Sequence, residues 1–460
     1  MNRLIVISNR VTVADQRAES TGGLAVGIFA ALRETGGIWC GWSGELSETP
    51  DEHFRRFSAG QIDYAVLDLK PCDYQGYYNG FSNSVLWPLF HYRLDLMNFS
   101  REAYEAYRRT NGRFAQAIAA LLKPGDVIWV HDYHLIPLAE ELRALGVTQA
   151  IGFFLHTPFP PYRLMTTLPC HDDIMRSFTA YDVVGFQTRG DRDSFRDYMR
   201  CQLDGHEHGD GLLHVGNRTF QADVFPIGID VGNVASFAAH SARSQRITRL
   251  RTSLQGRDLI VGVDRLDYSK GIPERFRAFE RLLERFPVWR KRVTLLQIAP
   301  PTREEVADYS TIRHALEMAA GHINGVFAEY DWMPVRYLNR SFSRQALTGF
   351  LRYAKVGLVT PLRDGMNLVA KEYIAAQDAD DPGVLVLSRF AGAADEIDSA
   401  LLVNPYDADE VAEALDTALN MPLVERQQRW HEAMDAITGQ DIATWRNRFV
   451  AALRAAPYAA

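Results

Sequence analysis

The chain has 460 residues, 47% hydrophobic and 23% charged, a globular composition whose length exceeds what one hydrophobic core usually serves, so two domains are expected. Its net charge of −7 speaks against a general polyanion binder, because a nucleic-acid or anionic-membrane surface leaves a basic excess; any phosphate must be held by local cations and backbone amides. Four scattered cysteines (Cys40, Cys72, Cys170, Cys201) form no C-x-x-C pair and read as reduced thiols in a cytoplasmic protein. No run approaches the ~20 apolar residues of a membrane span, and the apolar start, Leu4–Ser8, is too short for a signal-peptide core.

In chain order, a short apolar run, a polar or Gly-rich loop and an amphipathic helical pattern keep recurring. Leu4–Ser8 leads to Gly22-Gly23 and a helical stretch through Leu32. Asp126–Val130 leads to His131-Asp132-Tyr133-His134 and the helical pattern Leu135–Leu145. Ile151–Leu155 runs into His156-Thr157-Pro158-Phe159-Pro160-Pro161, and Asp182–Phe186 precedes another helix. Gly205–Gly211 predicts a hairpin turn, and Pro226-Ile227-Gly228-Ile229-Asp230 marks an interdomain boundary within 226–240. The rhythm restarts with Leu259–Val263, Val293–Ile298, Val356–Thr360, Gly383–Leu387 and Ala400–Val403, followed by helices over 408–421 and about 441–454. Strands alternating with helices imply parallel sheets covered on both faces. The expected fold is therefore α/β: two doubly wound, Rossmann-like domains facing a central cleft. The first spans 1–230 and the second 231–440, with a final helical segment, 441–460, packing back on the first.

Ligands of such sheets bind beyond the carboxyl ends of the strands. That is where Arg10, Asp132, His156, Arg265, Lys270, Arg303 and Asp364 fall. In Val263-Asp264-Arg265-Leu266-Asp267-Tyr268-Ser269-Lys270-Gly271 two cations share a loop just before a helix beginning near Pro273, placed to meet a diphosphate leaving group. Alternatively, they are surface cations paired with Asp264 or Asp267.

A second segment, Thr360-Pro361-Leu362-Arg363-Asp364-Gly365-Met366-Asn367-Leu368-Val369-Ala370-Lys371-Glu372-Tyr373, again joins a strand to a helix. The first-turn N–H groups near Asn367 suit an anion or hydroxyl, Asp364 a sugar hydroxyl and Glu372 a ribose. An Asp-Gly turn with capping acids is the plainer alternative. Ser20-Thr21-Gly22-Gly23-Leu24 is a Gly-rich turn that does not match G-x-G-x-x-G, which speaks against a nicotinamide or flavin cofactor. His131, His134 and His156 fit neither H-E-x-x-H nor a Cys/His metal site, so no metal is expected. They are equally consistent with buried or capping histidines. Arg10 and Arg303 suit a phosphate clamp or structural ion pairs. Tyr78 and Trp87 suit stacking on a sugar face or the core.

Taken together, these segments closely resemble the retaining trehalose-6-phosphate synthases, family 20 glycosyltransferases of the GT-B fold. The likeness runs from Arg3-Leu4-Ile5-Val6-Ile7-Ser8-Asn9-Arg10 to Asn404-Pro405-Tyr406-Asp407, and Leu86-Trp87-Pro88, His131-Asp132-Tyr133-His134, Arg265 to Gly271 and Arg363 to Glu372 are its most specific parts. The resemblance implies transfer of glucose from UDP-glucose to glucose 6-phosphate, giving α,α-trehalose 6-phosphate and UDP by a front-face, retaining mechanism. It implies donor binding by Gly22, Gly23, Arg265, Lys270, Phe342 (through its backbone), Asp364, Met366, Asn367, Leu368, Val369, Ala370, Lys371 and Glu372. Acceptor binding would fall to Arg10, Tyr78, Trp87, Asp132 and Arg303, and catalysis to Asp132, His156, Arg265, Lys270 and Asp364. No cofactor, nucleic acid or membrane is implied, and a homo-oligomer (dimer or tetramer) is. Pro301 departs from the pattern, where relatives carry a hydroxyl residue, and bears only on local loop shape.

Two other classes compete. A related synthase would use another acceptor, such as glucosylglycerol-phosphate, or join cyclitols as a pseudo-glycosyltransferase. A non-catalytic regulatory subunit would have lost Arg265, Lys270 or Glu372, all present here.

Overall fold

A strand buried on both faces of a parallel sheet must be apolar along its whole length, and the first strand shows it. In the computed structural model, which describes residues 3–12, 28, 29, 32, 36–60, 62–207, 211–302 and 307–456, β1 (Leu4–Arg10) buries every side chain except that of Arg10. The chain forms two compact units, Met1–Ile227 with Ile442–Ala460, and Gly228–Asp441.

The first unit holds a sheet of ten strands in the order β3-β4-β2-β1-β5-β6-β7-β10-β9-β8. The strands are β2 (Gly37–Leu46), β3 (Arg55–Ala59), β4 (Ile62–Leu69), β5 (Val127–His131), β6 (Ile151–Phe154), β7 (Val183–Phe186), β8 (His206–Glu207), β9 (Leu212–Val215) and β10 (Arg218–Val224). The strands from β4 to β10 in that order run parallel. The edge strand β3 and the β8–β9 pair are antiparallel. From β1 the chain builds outward through β2 and β4, then returns to the other side of β1 with β5, so the order reverses between β1 and β5.

The helix Ile442–Ala455 belongs to this unit: the rings of Trp445 and Phe449 lie 4.9 and 4.7 Å from that of Trp129. Gly152 on β6 and Gly185 on β7 make room for it, since a Cβ at either would meet the Phe449 ring at 2.8 or 2.7 Å. A glycine inside a strand often marks such a close approach.

The second unit is built on six parallel strands: β11 (Asp258–Val263), β12 (Val293–Ile298), β13 (Val335–Leu338), β14 (Val356–Val359), β15 (Val384–Ser388) and β16 (Leu401–Val403), in the order β13-β12-β11-β14-β15-β16. Leu254, Phe350, Ile374 and Ile437 pack on one face. Phe276, Phe279, Leu283 and Leu415 pack on the other. Here the order reverses between β11 and β14.

Several elements depart from the sequence-based expectations. The helix expected over 135–145 begins only at Leu138, after a 3₁₀ turn Tyr133–Leu135, because Pro137 interrupts the backbone ladder. A helix Leu423–Gly439, strands β2–β4 and β13, and a thirteen-residue π-helix Tyr74–Leu86 were not anticipated. The π-helix lies against the helix Arg101–Ala119 through two glycines: a Cβ at Gly76 or Gly80 would meet Ala106 or Ala103 at 2.4 or 3.0 Å.

Candidate active site

Each sheet reversal leaves a crevice at the carboxyl ends of two diverging strands, and Arg10, Asp132, Arg265, Lys270 and Asp364 lie at or just beyond the ends of those strands. In the second unit the loop after β11 carries Arg265 and Lys270, and the loop after β14 carries Asp364. Lys270 is buried, with its Nζ 2.5 Å from Asp364 Oδ2. The same carboxylate accepts from Met366 N–H at 3.2 Å and from Asn367 Nδ2 at 3.1 Å. Asn367 holds a left-handed conformation (φ 63°) and caps the helix Leu368–Ala376, its Oδ1 accepting from Ala370 N–H at 3.3 Å. The N–H groups of Leu368 and Val369 stand in the first turn, where a helix supplies no acceptor of its own, so a cation and a helix N-terminus meet at one strand end.

Among the described residues, the ion pairs seen here are Lys270 with Asp364 and Arg275 with Asp264. Asp267 accepts from Ser269 N–H at 2.9 Å. Asp264 accepts from Arg275 Nη1 at 2.7 Å. Arg265 is exposed and has no hydrogen-bond or ion-pair partner among the described residues. Arg275 is the residue sequence reasoning missed. Only 1% exposed, it also donates to Gln297 Oε1 at 2.9 Å and Thr360 Oγ1 at 3.1 Å, and reaches the Lys270 carbonyl at 3.5 Å. One guanidinium therefore joins β12 to the loops after β11 and β14. The signal was present: Arg275 falls within the apolar stripe Ile272, Phe276, Phe279, Leu283 of an amphipathic helix, where a charge needs a reason.

Other expected donor residues occupy distinct settings. The side chain of Lys371 is fully buried with its Nζ 2.6 Å from Glu396 Oε1, so its backbone alone is left to meet a ligand. Glu372 lies 3.8 Å from Arg344, and burial pushes its carboxyl up against the opposing pull of that arginine. The ring of Phe342 packs edge-on against Phe350 at 5.4 Å, with the Arg340 guanidinium 4.8 Å from its centroid. Gly22, Gly23 and Arg303 lie outside the described residues.

In the first unit, Arg10 leaves β1 and lays its guanidinium 5.6 Å from the Trp42 ring, where Gly44 leaves it space. Trp42 touches Tyr74 and Tyr78 at 5.4 and 6.0 Å, and Tyr78 stacks on His134 at 5.7 Å, so one aromatic run links Arg10 to the loop after β5. Trp87 is 5% exposed between His91 and Tyr133, with little edge left for a ligand.

Asp132 follows β5 at φ 75° and ψ 164°, a region almost reserved for glycine, and strain of this kind clusters at functional sites. Its Oδ1 accepts from His156 N–H at 3.4 Å, and its own N–H donates to the Phe154 carbonyl at 2.9 Å. His156 and His131 are both buried, with 3.0 Å between His131 Nδ1 and His156 Nε2.

Burial lowers the His156 pKa from 6.5 to about 3 and pushes that of His131 well down too, His156 adding to the effect. The folded state thus binds fewer protons than the unfolded one between pH 6.5 and 3. The stabilisation is complete above 6.5 and is lost as the pH falls through that window. His156 alone should cost about 2 kcal/mol by pH 5. Urea unfolding at pH 7 and pH 5 checks this, and His156→Gln should flatten the dependence; equal pH slopes for variant and wild type would contradict the assignment.

The chain belongs to glycosyltransferase family 20, whose pattern it matches over residues 2–455. A trehalose-6-phosphate synthase of Klebsiella pneumoniae subsp. pneumoniae is 50% identical over 450 residues, covering 98% of this chain and 94% of that protein. The crystal structure of an α,α-trehalose-phosphate synthase (UDP-forming) from Burkholderia vietnamiensis superposes with a TM-score of 0.97 at 51% identity, covering 99% of this chain and 97% of the other. One from Burkholderia xenovorans, in complex with glucose-6-phosphate, has a TM-score of 0.95 at 48% identity, covering 98% and 100%. The two parallel-sheet α/β domains are those of the GT-B class.

Proposed function

We infer that this chain is a retaining glucosyltransferase that moves glucose from UDP-glucose to glucose 6-phosphate, releasing UDP and α,α-trehalose 6-phosphate. The observation that carries the chemistry is the meeting of Lys270, Asp364 and the uncapped N–H groups of the helix Leu368–Ala376 at the β11/β14 reversal. The names of relatives that are about 50% identical over nearly their whole length support the choice of substrates.

In this reading Arg265 and Lys270 take the diphosphate, Leu368 to Glu372 and Phe342 the nucleoside, and Asp364 and His156 the transferred sugar. The acceptor hydroxyl attacks the anomeric carbon from the face the diphosphate leaves. As the new C–O bond forms, the bond to the diphosphate oxygen breaks, and a phosphate oxygen of the departing UDP takes the hydroxyl proton. Retention follows from same-face attack, and the protein supplies position and positive charge. A matrix of UDP-, GDP- and ADP-glucose against glucose 6-phosphate, glycerol 3-phosphate and glucose tests the assignment; a clear preference for another pair would replace it.

Arg10, Tyr78 and Asp132 hold the acceptor in this reading, with the buried Trp87 shaping its pocket. Arg10 lies over the Trp42 ring with no ion pair among the described residues, and a hydrogen bond to a charged group contributes about 1.5–3 kcal/mol. Arg10→Ala should therefore lower kcat/KM for glucose 6-phosphate by roughly tenfold to a few hundredfold. The rate with unphosphorylated glucose should barely change. An unchanged preference between the two acceptors would remove Arg10 from the phosphate.

Among the described residues no helix is long and apolar enough to cross a membrane. A cytoplasmic location is supported by the four cysteines, all free thiols. Assembly as a homo-oligomer follows from the family resemblance alone.

A further inference from the structure

His131 lies one residue before the strained Asp132 and is wholly buried at the end of β5. Its Nδ1 is 3.0 Å from His156 Nε2. Its Nε2 has no partner among the described residues, and the ring is walled by aromatics: the centroids of Trp129 and Trp445 lie 4.5 and 6.3 Å from its own. Both indole N–H groups, each on a side chain no more than 1% exposed, are also without an acceptor among the described residues. Burial keeps the two imidazoles neutral, so each carries one proton and one lone pair.

Two arrangements satisfy the His131–His156 bond, and they differ in what is left on His131. If His156 donated, His131 would carry its proton on Nε2, adding a third buried N–H to a pocket already holding two unsatisfied donors. If His131 donates from Nδ1, the Nε2 left over is a lone pair, which sits more easily beside indole N–H groups. Buried acceptors without partners are also commoner than buried donors without them. A histidine's chemistry at one nitrogen is set by the bond its other nitrogen makes.

We propose that His131 is a positioning residue that fixes His156 in the Nδ1–H tautomer, so that His156 meets the transferred glucose as a neutral hydrogen-bond donor. The second clause rests on the reading that His156 touches that sugar. The helix Ile442–Ala455 takes part through Trp445, whose ring lies 6.2 Å from His156, so the last helix of the chain closes the pocket that sets the tautomer.

The tautomer is measured on the intact protein. In ¹⁵N-histidine-labelled chain, with the His156 resonances assigned through His156→Gln, the two-bond ¹H–¹⁵N pattern should show the proton on Nδ1. A proton on Nε2 overturns the proposal whatever the kinetics. In His131→Phe, which keeps the ring and removes the donor, His156 should shift towards Nε2–H. There kcat/KM for UDP-glucose should fall roughly three- to tenfold, the value of one neutral hydrogen bond. The KM for glucose 6-phosphate should hold. His131→Asn, which restores an N–H near the Nδ1 position, should recover most of the loss, whereas a purely packing role predicts that asparagine is worse than phenylalanine. A correct tautomer that shifts in His131→Phe without any kinetic change would keep the positioning role and instead remove His156 from the sugar.

Discussion

Lys270→Ala should lower the turnover number by roughly 10²–10³-fold, the cost of removing one preorganised group from a developing negative charge, while UDP affinity should fall far less. The asymmetry arises because charge on the diphosphate is greater in the transition state than in the bound ground state, so a cation aimed there acts mainly on kcat. The geometry adds a second reason. Lys270 and Asp364 are each about nine-tenths buried and 2.5 Å apart. Removing the ammonium leaves that carboxylate without its cation beside the same loop, and Asp364 also orders Met366 and Asn367 at the start of the helix. Lys270→Arg keeps the charge but not the compact ammonium, and should restore only part of the rate. Steady-state rates beside calorimetry for UDP check this. An unaltered turnover number with weaker UDP binding would make Lys270 a ground-state contact and nothing more.

Arg275→Met should destabilise the second unit by about 3–5 kcal/mol, as expected when one partner of a buried ion pair is lost. Burial already pushes the Asp264 carboxyl up, and Arg275 is the first group holding it down. Without the guanidinium, Asp264, Gln297 and Thr360 would each lose a buried donor. Because Gly262 leaves the space that Arg275 Nη1 fills, a smaller side chain also opens a gap. For a unit of this size the midpoint of thermal unfolding should drop by roughly 10 °C. Arg275→Met with Asp264→Asn should recover part of it, since the uncompensated charge is gone. Calorimetry of the three proteins decides; a midpoint within a degree or two of wild type would show that the loops after β11 and β14 are held by something else.

The strands that flank both sheet reversals were legible because two-sided burial forces continuous apolar runs such as Val293–Ile298 and Val356–Val359. Strand β2, with three glycines and two tryptophans in ten residues, lacks such a run and was missed. The π-helix was missed for a different reason: its Tyr- and Gly-rich sequence has no 3.6-residue apolar period, and its place depends on Gly76 and Gly80 meeting a helix further along the chain. At the site, residue types were readable at strand exits, but partners were not. The Lys270–Asp364 contact joins residues 94 apart and follows from the strand order, which no local pattern encodes. The same holds for Arg275 reaching Thr360, although a lone arginine in an apolar helical stripe was a usable signal. The histidines were left between ligand and core; His131 and His156 are both buried and bonded to each other, a pairing no local pattern encodes.

The most direct measurement uses the purified chain, UDP-glucose labelled with ¹³C at the anomeric carbon, and glucose 6-phosphate. The glucosyl transfer inferred above predicts UDP release that depends on glucose 6-phosphate, with one non-reducing phosphorylated disaccharide formed per UDP. Its labelled anomeric carbon should show the one-bond C–H coupling of an α linkage, and the acceptor half should show the same configuration. UDP released at the same rate without acceptor, or a product with a β-configured or reducing end, would contradict it.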